Sequence, residues 1–283
     1  MALETGILFG ILTMIGFGLN SALVQGVIKK IGKLNAMAYQ ALISAALLVP
    51  AFLLYPAGFY FLPEQILIAT GIALLGVVPL FTFYKALEAG KIGVIVPVAN
   101  SASVFTVMFS VAFLGESLTG IKLASVAAII LGVITVSVKP DDLKKGISAG
   151  VPYALVTSVL WGAYYFLLKY PVSAMGPLFT AVVTQAGIGI FAGLVALKQG
   201  KLNTRIDMKT ATDLLKVSFL VAIGTAAYSV GIVASDVSIV GPLAFAAPVV
   251  SVLYARFFLK ERLDIHQYLA LFLIVAGIIA LSF

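Results

Sequence analysis

The residues in this chain that could do chemistry inside an apolar environment are few, and nearly all are uncharged. Four carboxamides (Asn20, Gln40, Asn100 and Gln185), the hydroxyls of Ser101 and Ser103 and the phenol of Tyr228 sit in long hydrophobic runs. So do Trp161, Tyr164 and Tyr165, which cluster on one segment. Amides and hydroxyls offer hydrogen bonds and rings offer flat faces, which together suit recognition of a neutral or zwitterionic solute. An unpaired amide in hydrocarbon is costly, so each must face another helix or a polar cavity. Hydrogen bonding between helices meets that need as well as a solute does. Asn100 is the strongest candidate for a cavity. It lies three residues beyond Pro97, which lacks an N–H, clashes with the carbonyl of Gly93 and bends or breaks its helix. Pro242 holds the corresponding place later in the chain, and Pro248 adds a second break there.

What is missing narrows the chemistry further. There is no cysteine, which excludes thiol catalysis, thiolate metal sites and disulfides. The only histidine, His266, has no acidic pair or metal-ligand spacing beside it, so no nucleophile–base pair or metal cluster is in prospect. The expectation is a protein that is not an enzyme and needs no cofactor or metal. No Asp, Glu, His or Arg falls in the middle third of any apolar run. Lys85 lies about one turn inside the end of its segment, where it either snorkels to the interface or meets a substrate carboxylate or phosphate. Lys169, at a segment end before Pro171, reads as an interface anchor. Glu116 and Glu261 each precede a helix and are expected to cap its N-terminus. Trp161 stands roughly 12 Å from the end of its segment, deeper than an interfacial aromatic belt, which makes it a candidate wall for a substrate.

The elements that must position these groups follow from composition. Of the residues, 62% are hydrophobic and only 10% charged, and the mean hydropathy is +1.15. Soluble domains run about 45–50% apolar and about 25% charged. A membrane-spanning helix needs about 20 mainly apolar residues. Ten runs qualify: 6–28, 35–55, 65–87, 92–114, 120–138, 147–169, 173–197, 214–235, 238–258 and 266–282. The fold class expected is therefore an all-α polytopic membrane protein of ten transmembrane helices. The start "MALE" has no basic stretch of a cleavable signal, so the first run is read as the first span. The net charge of +7 lies in short loops rather than on a soluble surface, which points to membrane orientation and not to nucleic acid.

Sliding the chain by 145 residues reveals an internal repeat. "PVANSASVFTVMFSVAFLGESL" falls on "PLAFAAPVVSVLYARFFLKERL", matching Pro97 to Pro242, Glu116 to Glu261 and, farther on, Gly132 to Gly277. Between 97 and 137 there are 13 identities in 41 positions. Greasy composition alone would not align rare residues such as Pro97 and Glu116. Gln40 meets Gln185, and "FG" at 17–18 echoes "WG" at 161–162. The chain thus reads as two five-helix halves, 1–140 and 146–283. Five is odd, so the second half must enter the membrane inverted with respect to the first.

Loop charges agree with this. Call the side holding both termini face A and the other face B. Face B receives 16 of the 18 basic residues, and face A only Lys122 and Lys169. By the positive-inside rule face B is cytoplasmic and the termini lie outside.

The segment "YKALEAGKIGVIVPVANSASVFTVMFSVAFLGESLTGIKLASVAAIILGVITVS" resembles the EamA-type drug/metabolite transporter superfamily. The resemblance rests on Tyr84, Ala86, Leu87 and Gly90, then Pro97, then Leu114, Gly115 and Glu116, with Trp161 and Gly162 in the sixth segment. The second half keeps Pro242, Leu259 and Glu261 but has Lys260 in place of the turn glycine. It implies ten helices in two five-helix repeats and a secondary transporter of small organic molecules. It also implies cytoplasmic termini in bacterial members, opposite to the charge count here. Small multidrug-resistance relatives use a glutamate in the first helix, where this chain has Gly16, Gly18 and Asn20. The function expected is alternating-access transport of small metabolites, neutral or zwitterionic such as amino acids, in the plasma (inner) membrane, by a monomer or homodimer. The alternatives are a lipid-carrier flippase or accessory subunit and, less favoured, an intramembrane enzyme. The substrate-binding residues expected are Asn20, Tyr84, Lys85, Asn100, Ser103, Trp161, Tyr164, Tyr165 and Tyr228, with Pro97, Pro242 and Pro248 as hinges.

Overall fold

The computed structural model describes residues 2–89, 92–137, 149–258, 260 and 263–281; the side chains of Tyr84, Leu87, Ile92, Gly93, Pro97 and Ser137 fall outside the description. Among the described residues there are thirteen helices and no strand. The first half holds α1 (Ala2–Ile31), α2 (Lys33–Leu54), α3 (Pro63–Ala89), α4 (Ile92–Asn100), α5 (Ala102–Leu114) and α6 (Ile121–Ser137). The second holds α7 (Val151–Leu167), α8 (Lys169–Met175), α9 (Pro177–Lys198), α10 (Met208–Ala234), α11 (Val237–Phe245), α12 (Ala247–Phe258) and α13 (Ile265–Ala280). An apolar chain in a bilayer must satisfy its backbone polar groups internally, and the helix does so within one segment. With the pairs α4–α5, α7–α8 and α11–α12 each counted as one crossing, eight segments are long and apolar enough to span. The shorter α6 and α13 complete ten. The chain is a multi-pass membrane protein.

Equivalent spans of the two halves pack antiparallel, which is what an inverted repeat demands. Gly189 of α9 lies against Ala38 and Leu42 of α2, whereas Leu48, farther along α2, clusters with Ala181 at the start of α9. Gly132 of α6 meets Ala270 and Ile274 of α13, and Gly277 meets Ser125 and Ile129. Other contacts exchange between halves: α1 packs on α10 as α7 packs on α3, and α1 on α12 as α7 on α5. Gly18 lies against Ala247 and Val250; Gly162 lies against Ala102 and Phe105, the repeat-equivalent residues. A Cβ at Gly18 or at Gly162 would fall 2.5 Å from a neighbouring side-chain carbon, so these crossings require glycine.

The breaks also correspond. The fourth span is interrupted at Ser101 and the ninth at Ala246, positions 145 apart with φ, ψ of −65°, 1° and −75°, 3°. Pro248 removes the amide that would bond Ala244, so the ninth span cannot continue as a regular helix there. Pro171 ends the sixth predicted segment too early. It sits in the first turn of α8, where its missing N–H costs nothing, and the chain turns at Gly176 instead. Outside the membrane Asp207 caps α10, accepting the amide and hydroxyl protons of Thr210, whose hydroxyl bond is the main reason its carboxyl lies below the usual range.

Candidate functional site

A cavity of about 420 Å³ is lined by α1, α2, α3, α7, α9 and α10 and by the residues at both helix breaks. Asn20, Asn100, Trp161, Tyr164, Tyr165, Tyr228 and Pro248 line it, together with Gln40 and Gln185. The breaks deliver residues from both sides: Asn100 ends α4, while Phe245 and Ala247 flank the α11–α12 break. Interrupted helices meeting at mid-depth are the usual construction of a transporter's solute site.

Hydrogen bonds order the polar wall. The Gln40 amide donates to the Asn20 Oδ1, and the Gln185 amide donates to the Thr225 hydroxyl at 2.6 Å. The Tyr228 hydroxyl donates to the Tyr165 carbonyl at 2.9 Å. Tyr165 is the centre of the aromatic wall, with ring centroids 5.2 Å from Tyr164, 4.9 Å from Tyr228 and 4.8 Å from Phe245, all edge-on. Trp161 leans on Phe83 at 5.5 Å. Among the described residues the lining carries no carboxylate, ammonium, guanidinium or imidazole side chain.

The internal two-fold shows which lining positions the frame dictates and which it does not. Gln40 and Gln185 are equivalent and identical. Elsewhere equivalent positions differ. In the first helix of each half, where the FG/WG match sets the offset at 144, Phe17 corresponds to Trp161, Asn20 to Tyr164 and Ser21 to Tyr165. At the offset of 145, Leu80 corresponds to Thr225 and Asn100 to Phe245. Three of the four lining amides (Asn20, Gln40 and Asn100) come from the first half, and every lining ring but Phe17 comes from the second. A packing frame shared by both halves does not require that asymmetry.

A model of the EamA-like transporter family matches residues 4–138 and again 148–283, nearly the whole chain in two copies. The chain belongs to the EamA-like transporter family. A curated relative, the uncharacterized protein MJ1333.1 of Methanocaldococcus jannaschii, is 33% identical over 128 residues, which are 45% of this chain and 92% of that protein. That match is about the length of one half. A crystal structure of a protein superposes with a TM-score of 0.80 at 18% identity, covering 98% of this chain and 96% of that one; at such identity the likeness is one of fold.

Not every residue expected at the site of this EamA-like chain reaches the cavity. Lys85 is exposed near the end of α3 and does not line it. Ser103 is fully buried, its hydroxyl donating to the Asn100 carbonyl at 3.4 Å. Pro242 is buried inside α11, away from the cavity. The side chains of Tyr84 and Pro97, and all of Glu261, lie outside the described residues. Ser101 bonds Val98 and the Ser158 hydroxyl and serves the α4–α7 contact. Glu116 caps a helix, but not the one that follows it. Left-handed Gly115 closes α5, and the carboxylate reaches across to α11, accepting the amide protons of Val237 and Ser238 at 2.8 Å each. Lys169 is half-buried and bound to the protein itself. Its ammonium donates to the carbonyls of Ile232 and Ser235 at the end of α10. Phe17, Ser21, Met37 and Thr225 are lining residues that were not anticipated. Phe17 was detectable from its repeat partner Trp161, whereas Thr225 carries no signal, since its partner is Leu80.

Proposed function

We propose that this EamA-like protein carries small neutral or zwitterionic solutes, amino acids being the first class to test, by alternating access through the central cavity. The observation that supports the reading is the cavity lining: amides, hydroxyls and rings set among aliphatic side chains, with no charged side chain among the described residues. A full charge on a solute would find no counter-ion there, and stripping it of water would cost several kcal/mol, on the order of the penalty for any unpaired buried ion. A zwitterion brings its own compensating charge, and amide groups donate and accept at its two ends. The volume falls within the range of about 300–1,000 Å³ typical of small-molecule sites. The distribution of basic residues supports placing the termini outside a plasma membrane with face B in the cytoplasm.

The test is a thermal-shift screen of purified protein against neutral, zwitterionic, cationic and anionic metabolites, followed by uptake of the best stabiliser into proteoliposomes. The expected result is stabilisation by a zwitterionic or neutral compound that is lost in Asn100→Ala. Stabilisation only by cations or anions, or equal stabilisation of wild type and Asn100→Ala, would overturn this assignment.

A further inference from the structure

We infer that Glu116 is the latch that holds face A closed in this conformation. Towards face A the cavity ends at Tyr164, Leu168, Tyr228 and Ala244, which pack with Ile72, Val172, Ile232, Val237 and Val240 in one cluster drawn from both halves. Towards face B no single cluster spans the two sides among the described residues. One joins α1, α2 and α10 through Val27, Ile31 and Leu214; another joins α3, α4 and α7 through Ala86, Ile95 and Ala154. Ser21, an exposed lining residue, lies on this side of the cavity.

The sealed end is tied at the two-residue link between α10 and α11. Lys169 holds the carbonyls of Ile232 and Ser235 from within the same half. Glu116 comes from the other half and grips the first amides of α11 with both carboxylate oxygens. These bonds are charge-assisted and aligned with the positive end of the helix dipole. Because α11 is joined to α12 by the break at Ala246, it can swing apart from α12 only when its outer end is released. Opening face A therefore requires breaking the two Glu116 bonds, and the carboxylate acts on access to the cavity through α11 rather than on the solute.

This rests on the alternating-access reading, but its test uses no solute, so the two can fail separately. The chain has no cysteine, which permits single reporters: Val240→Cys in the sealing layer and Ser21→Cys on the open side. Labelling rates with a polar maleimide are compared in nanodiscs with Glu116, Glu116→Gln and Glu116→Ala. The expected result is labelling of Val240→Cys about tenfold faster in both variants, with Ser21→Cys slower. Unchanged rates would overturn the inference, and so would equal acceleration at both reporters, which marks general loosening. Should Glu116→Ala fail to fold, Glu116→Gln, which keeps one acceptor, carries the test.

Discussion

Gly132 and Gly277 each occupy, in the α6–α13 interface, the place that the other occupies from the opposite side. A Cβ on Gly132 would lie 2.4 Å from Ile274 and 2.9 Å from the Ala270 carbonyl; one on Gly277 would lie 2.8 Å from both Ile129 and the Ser125 carbonyl. Ile274 and Ala270 are the repeat partners of Ile129 and Ser125. Since a backbone oxygen blocks each position, side-chain repacking alone cannot admit a methyl group. Either Gly132→Ala or Gly277→Ala is expected to destabilise by about 1–3 kcal/mol. The double variant should lose less than the sum, because helices already moved apart for one methyl admit the second more cheaply. Thermal unfolding in a mild detergent measures all three. Additive losses would mean that the two contacts are energetically separate.

The absence of charge in the cavity gives a second prediction, one that needs no ligand. Gln185 is 6% exposed and bonds Thr225, and among the described residues no basic side chain lines the cavity to receive an anion. In Gln185→Glu the ionised side chain would be a buried anion with no described partner, whereas the protonated form keeps a hydrogen-bonding pattern close to that of the amide. Ionisation therefore favours the unfolded chain, and stability is lost as pH rises. The melting temperature of Gln185→Glu relative to wild type should therefore be near parity at pH 5 and fall progressively towards pH 9. A pH-independent difference would indicate a cation within reach of position 185.

Much of this arrangement was legible in the sequence, and the gaps have physical causes. Apolar run lengths and the 145-residue offset were enough for ten spans in two inverted halves, because bilayer thickness and repeat identity are both written in residue order. Asn20, Asn100, Trp161, Tyr164, Tyr165 and Tyr228 line the cavity because a polar or ring-bearing residue in mid-span has few places to go. Lys85 and Ser103 lie off the cavity for opposite reasons: a long cationic stem reaches the surface, and a serine can bond a carbonyl three residues back at no cost to packing. The partners of Glu116 and Lys169 are not legible because they lie at the start of α11 and the end of α10, 121 and 63 or more residues away. Neither spacing nor composition encodes such a distance.

Lys169 supplies a third prediction. Its half-buried ammonium closes the C-terminal carbonyls of α10, where a cation also meets the negative end of the helix dipole. Lys169→Met keeps the stem and removes the charge and the donors. It should cost about 1.5–3 kcal/mol, the range for hydrogen bonds to a charged group, and lower the melting temperature by several degrees. If the residue were a surface anchor, the substitution would change stability by less than about 0.5 kcal/mol.

Orientation is the last prediction, and the fold indicates where to place its reporters. Tyr60 is 67% exposed in the α2–α3 link on face A. Asn203, in the α9–α10 link on face B, is a poor choice for substitution. Its side-chain oxygen accepts the backbone amide proton of Arg205, a bond that cysteine would lose, in a turn whose backbone N–H donates to Asn35 and whose carbonyl accepts from Tyr39. Thr204, next to it, is exposed and makes a better probe. Face B carries 16 of the 18 basic residues, and translocating a cluster of such loops is unfavourable at every crossing. Tyr60→Cys should therefore react with an impermeant thiol reagent in intact cells, and Thr204→Cys only after the membrane is opened. The reverse pattern would put both termini in the cytoplasm and show that packing between the halves, rather than loop charge, decides how this chain inserts.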